Sequence, residues 1–156
     1  MSVIEHTDAP EFEYGVADQL SASIRRVICN NPGSFTFTGT GTYIVGKGQV
    51  AVIDPGPADT RHINAILAAT TGETITHILV THTHIDHSPG CRILQQHCNA
   101  ASYAFGPHGV SGDGGGFGAD LDFIPDRRLH DGDTVQVGAL ALQALHTPGH
   151  ASNHLS

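Results

Sequence analysis

Thr81-His82-Thr83-His84-Ile85-Asp86-His87 is the stretch that decides how this chain is read. It follows directly on Ile75–Thr81, a β-branched and nearly continuous apolar run that predicts a strand buried on both faces. Functional side chains gather where strands of an α/β sheet end. His82 and His84 are two residues apart, so an extended backbone points both imidazoles the same way. Asp86 and His87 come after the chain has begun to turn, and they face a second point nearby. A soft-to-borderline divalent metal takes imidazole nitrogens at about 2.0–2.1 Å, with carboxylate oxygen as a further option. The full His-x-His-x-Asp-His pattern arises by chance in roughly five of a thousand chains of this composition, so its place at a strand end carries weight.

The second element is His146-Thr147-Pro148-Gly149-His150. It too follows a predicted strand, Leu140–Leu145, and Pro-Gly forces a tight bend. His150 is then one further ligand arriving from a second strand end. His146, before the bend, reads as structural.

Outward from these motifs the chain alternates strands and helices. Ile24–Cys29 reads as a strand and Asn31-Pro32-Gly33 as a turn. Gly41–Val45 and Gln49–Asp54 form a hairpin around Gly46-Lys47-Gly48, and Asp54-Pro55-Gly56-Pro57 stops it. Asp59–Ala69 switches to helical period, with Ile63, Ile66 and Leu67 on one face. Ser88-Pro89 predicts an N-cap and a helix to about His97. Ala101–Phe105 is a strand, Gly106–Asp120 a long Gly-rich loop, and Thr134–Val137 with Leu140–Leu145 a second hairpin. The predicted class is α/β (α+β), one domain over residues 1–156.

With 39% apolar and 14% charged residues the chain reads as globular. Its net charge of −8, from 7 Lys+Arg against 15 Asp+Glu, offers no electrostatic footprint for nucleic acid. Cys29, Cys91 and Cys98 form no paired spacing, which predicts reduced thiols. The start of the chain lacks a signal-peptide pattern and no apolar run reaches membrane length, so a cytoplasmic protein without a membrane partner is expected.

THTHIDHSPG and HTPGH resemble two signature motifs of the metallo-β-lactamase superfamily, and VAVIDPGP resembles its first motif. NPGSFTFTGTGTYIVG is similar to the opening hairpin of the branch related to glyoxalase II and to lactamase-beta-like endoribonucleases. The resemblance covers roughly Ile24 to His154 and implies the N-terminal portion of an αββα sandwich. It implies that His82, His84 and His150 bind one metal ion, and that Asp86 and His87 contribute to a second. Asp54 would buttress the ligand loop, and Asp86 would also orient the attacking water. The implied cofactor is zinc, one or two ions, with iron or manganese as alternatives. The metal would activate water and polarise the scissile group.

The implied reaction is hydrolysis of a small acyl substrate, a thioester or lactone. The alternatives are a phosphodiesterase or endoribonuclease, an iron-dependent persulfide dioxygenase, and an inactive metal-binding fragment. The family also supplies a bridging Asp and a last His from its second half. The expectation is therefore a complete first metal site, an incomplete second one, and an apolar sheet face awaiting an oligomer or a C-terminal segment. His108, Ser111, Asp113, Tyr103 and Phe117 are candidates to reach substrate, and Arg127-Arg128 reads as a solvated turn pair. His154 sits four residues past His150, while His6, His62, His77, His97 and His130 match no site pattern.

Overall fold

In the computed structural model, the structure describes residues 11–109 and 118–156. His6, Ser111, Asp113 and Phe117 lie outside the described residues.

Among the described residues, seven strands form one sheet in sequence order. They are β1 (Ala17–Ser21), β2 (Ile24–Ile28), β3 (Gly41–Lys47), β4 (Gln49–Ile53), β5 (Thr74–Leu79), β6 (Ala101–Ala104) and β7 (Arg127–Arg128). β1 to β4 run as an antiparallel meander, and β4 to β7 are parallel. The parallel crossovers carry α1 (Thr60–Ala69) and α2 (Gly90–Leu94). A hairpin of β8 (Thr134–Val137) and β9 (Leu140–Gln143) forms a separate two-stranded sheet.

The pleat sorts side chains between two cores. Val50 and Val52 of β4 face the helices and pack with Ile63, Ile66, Ile78 and Leu94. Ala51, between them, faces the opposite way and packs with Val135, Val137 and Leu155. β5 divides similarly: Ile78 belongs to the helical side, whereas Leu79 is half-buried against the hairpin side. Burial of β5 is thus complete on one face only, short of the two-sided burial expected. The hairpin covers part of the other face and leaves a groove of about 310 Å³ lined by Ile53, Leu79, Tyr103, Leu129 and Leu142. Tyr103 stands here against His77, with ring centroids 5.1 Å apart.

Three local expectations are corrected. Ser88 is not an N-cap: its fully buried hydroxyl donates to Asp120 Oδ2 at 2.9 Å, and α2 begins at Gly90 behind Pro89. Regular helix ends at Leu94 rather than His97. The start is dictated by Gly90, whose N–H donates to the Gly56 carbonyl at 2.8 Å. A Cβ there would meet the Pro55 carbonyl oxygen at 2.5 Å, so only glycine allows the approach. Arg127-Arg128 is an edge strand beside Tyr103-Ala104 rather than a turn. β1 went unread because its sequence, ADQLS, is half-exposed or exposed throughout and offers no apolar alternation.

A candidate metal centre at the ends of β4 and β5

Asp54 follows β4 directly and holds the site together. Its backbone adopts φ +51°, an uncommon conformation that aspartate tolerates better than most residues. Its N–H still donates to the Leu79 carbonyl at 2.8 Å, so the β4–β5 pairing extends into the turn. Its buried carboxylate then grips both ends of the THTHIDH segment. Oδ1 accepts from the Thr81 N–H at 2.7 Å, and Oδ2 accepts from the Thr81 hydroxyl at 2.7 Å and His87 Nδ1 at 2.9 Å.

This fixes the tautomer of His82. The Thr81 hydroxyl spends its single proton on Asp54, because a carboxylate only accepts. It must therefore accept from His82 Nδ1, which lies 2.9 Å away. The proton on Nδ1 leaves a lone pair on Nε2, and that atom is buried without a hydrogen-bond partner. Burial, reinforced by His87, His84 and His150, pushes the imidazole pKa down to about 3. A buried polar atom left unsatisfied costs on the order of 1–3 kcal/mol, and a cation that needs a neutral imidazole removes the deficit.

Two further nitrogens converge on the same place. His84 Nδ1 and His150 Nε2 lie 3.0 Å apart, and the ligand atoms of His82, His84 and His150 all fall within 4.8 Å of one another. Zinc–nitrogen bonds of 2.0–2.1 Å in a tetrahedron put donors about 3.3 Å apart, so the trio fits an ion with small adjustments. Burial, followed by His150, lowers the pKa of His84 as well.

His150 reaches the site because residues 145–156 close into a loop. Leu145 and Ser156 exchange backbone hydrogen bonds at 2.9 Å, Thr147 N–H donates to the His154 carbonyl at 2.9 Å, and Leu155 N–H donates to the Thr81 carbonyl at 2.8 Å. The last contact ties the loop to the end of β5. His146 is structural, as expected: it stacks on Phe105 with centroids 4.1 Å apart and contacts the Ser152 carbonyl through Nε2. His154 lies beside His82, centroids 5.1 Å apart, with Nδ1 engaged by the Thr147 hydroxyl. Asn153, absent from the sequence reading, is buried and donates to the Thr83 hydroxyl at 3.0 Å and the Gly106 carbonyl at 3.2 Å. The Thr83 hydroxyl also meets His108 Nδ1 at 3.0 Å, so His108 stands in the packing around the ligand loop.

Asp86 and His87 sit beside the trio in a different electrostatic state. His87 Nε2 faces Asp86 Oδ2 at 3.1 Å while its Nδ1 holds Asp54. Burial disfavours the imidazolium, yet the hydrogen bonds to Asp54 and Asp86 outweigh it and lift its pKa to about 9. Burial likewise opposes the Asp86 charge, but the hydrogen bond from His87 and the Thr40 hydroxyl at 2.9 Å hold its carboxyl well below the usual range. Asp86 and His87 are the pair that the family resemblance implies for a second ion. Thr40, placed by Asn31 through two hydrogen bonds of 2.9 and 3.1 Å, is another residue that sequence spacing did not reveal.

The chain is 33% identical over 144 residues to a lactamase-like protein of Pestalotiopsis microspora, covering 88% of this chain and 40% of that protein. It is 34% identical over 145 residues to an atrochrysone carboxyl ACP thioesterase of Passalora fulva, covering 88% and 39%. The chain thus spans about 40% of the length of the curated relatives it matches. Its fold matches a class B3 di-zinc metallo-beta-lactamase from an Alaskan soil metagenome with a TM-score of 0.67 at 24% identity, covering 90% of this chain and 55% of that one. The metallo-beta-lactamase superfamily model matches residues 36–156, a span that holds Asp54, the THTHIDH loop and His150, and this chain belongs to that superfamily.

Proposed function

We propose that the protein is a zinc-dependent hydrolase of acyl thioesters, with a carrier-bound acyl group as the substrate class. The observation that carries the metal reading is His82 Nε2: buried, held as the neutral tautomer by the Asp54–Thr81 relay, and without a partner beside His84 and His150. The thioester reading is supported by the relative named an atrochrysone carboxyl ACP thioesterase.

His82, His84 and His150 would hold the first ion, and Asp86 with His87 would contribute to a second. Zinc bound there would supply a Lewis acid that activates water near neutral pH and polarises the scissile carbonyl. The chain's own groups set the remaining conditions. Asp54 and Thr81 keep a proton on His82 Nδ1, so Nε2 always presents its lone pair. Asp86, which accepts from the Thr40 hydroxyl, would remain ionised and orient the attacking water by accepting a hydrogen bond.

The test offers the zinc-loaded protein an acyl-N-acetylcysteamine thioester, a short single-stranded RNA, and a persulfide with oxygen monitoring. Thioester turnover that disappears on chelation and returns with zinc is expected. Chelator-sensitive RNA cleavage, or oxygen uptake with the persulfide, in place of thioester turnover would overturn the acyl assignment.

A further inference from the structure

Asp54 is gripped from its backbone side as well. Its carbonyl accepts from the Thr42 hydroxyl at 2.6 Å. That hydroxyl has one proton and gives it to the carbonyl, so the contact at 2.7 Å from His62 Nε2 requires His62 to be the donor. Thr42 in β3 is fully buried, and His62 in the first turns of α1 is 4% exposed. Burial pushes the His62 pKa down to about 4, in keeping with a neutral ring that donates from Nε2. The ring also packs on the turn after Asp54: a Cβ on Gly56 would stand 2.8 Å from His62 Cδ2.

A helix, a central strand and the strand-end turn therefore meet in one chain of donors, His62 to Thr42 to the Asp54 carbonyl. The residue at its end holds the left-handed conformation that aims its carboxylate at Thr81 and His87. A strained backbone persists only where its surroundings enforce it.

We propose that His62 and Thr42 are positioning residues of the metal centre, locking the Asp54 turn so that its carboxylate spans Thr81 and His87. The inference deepens the metal-site reading and rests on it for its functional meaning, but it has a readout that needs no metal. The Thr81 amide donates to Asp54 Oδ1, so its hydrogen exchange reports the carboxylate's placement.

Amide exchange would be measured by NMR on the full metal-free protein, with Ile44 and Val52 in the sheet centre as controls for global opening. Thr42→Val and His62→Leu should speed Thr81 exchange about tenfold and leave Ile44 and Val52 unchanged. Thr42→Ser and His62→Gln keep a donor at the right atom and should restore the wild-type rate. In an Asp54→Ala background, Thr42→Val should weaken zinc binding no further, whereas alone it raises the dissociation constant about tenfold. Unchanged Thr81 exchange in Thr42→Val, equal acceleration at Ile44 and Val52, or failure of the conservative variants to rescue overturns the inference. A wild-type protein that binds no zinc would bring down the metal reading instead, and the Thr81 pattern would still decide the positioning role.

Discussion

The two halves of the THTHIDH loop are built from the same residue types and held by the same aspartate, yet they rest in opposite states. On one side His82 is neutral, with its pKa pushed down to about 3. On the other His87 is an imidazolium, lifted to about 9 between Asp54 and Asp86. The rings are neighbours, with centroids 4.2 Å apart. Burial, with the neighbouring imidazoles, depresses His82, which reaches Asp54 through the Thr81 hydroxyl and is insulated by it from direct contact with the charge. His87 is buried too, but it touches two carboxylates, Asp54 and Asp86, and their hydrogen bonds outweigh burial. Direct carboxylate contact thus separates an imidazole paired with a proton from one ready for a cation.

The sharpest way to break the comparison is to remove each histidine in turn. His82→Ala deletes the preorganised lone pair and should weaken the first zinc ion by more than about 100-fold, beyond the loss typical of an outer-shell partner. His87→Ala should leave that ion bound within about tenfold while removing half of the adjoining pair. Competition with a chromophoric chelator measures both. Equal losses in the two variants would show that the loop acts as one site.

Proton competition sharpens the same contrast with a smaller effect. In the metal-free protein the raised pKa of His87 means the folded state holds a proton that the unfolded chain releases near pH 6.5. Its contribution to stability is complete below that pH and is lost as pH rises through about 9, amounting to about 1–3 kcal/mol. Thermal unfolding should therefore shift to lower temperature between pH 6.5 and 9, and His87→Gln should flatten that slope. Zinc binding at the Asp86–His87 pair must displace this proton, so its affinity should rise about tenfold per pH unit over the same window. His82 has no proton to lose there, so its pH dependence should be flat. A first-ion affinity as steep as the second would contradict the assigned states.

The contrast was only half legible in the sequence. The candidate ligands stood out because His82, His84, Asp86 and His87 fall close together in one short segment after an apolar strand, and His150 follows another. Asp54 was marked only by the resemblance of VAVIDPGP to the superfamily's first motif; its position alone read as a strand stop. The residues that set protonation were not legible. Thr81 is an unremarkable threonine until a carboxylate 27 positions away accepts from it twice. Thr40, Thr42 and His62 act across the sheet or from a helix, and no local spacing encodes such partners. The helix after the loop misled for a related reason: Ser88-Pro89 is a good cap locally, but the close approach of Gly90 to Gly56 and the demand of Asp120 for the Ser88 hydroxyl are tertiary facts.

Thr40 allows the finest test, because it acts on one side of the loop alone. Its buried hydroxyl donates to Asp86 Oδ2 at 2.9 Å and is itself met by Asn31 Nδ2 at 3.1 Å. Thr40→Val keeps the shape and the β-branched backbone preference while deleting the donor. A hydrogen bond to a charged acceptor is worth about 1.5–3 kcal/mol, but His87 remains on the same oxygen and limits the loss. Asp86 would stay ionised near neutral pH and be oriented less tightly. Turnover of a thioester should fall about three- to tenfold, with KM and first-ion affinity little changed. Thr40→Ser should recover most of the rate. If Thr40→Val instead weakened the first ion as much as it slowed turnover, then Asp86 would be coupled to the His82 side, and the insulation that Thr81 provides would be weaker than its geometry implies.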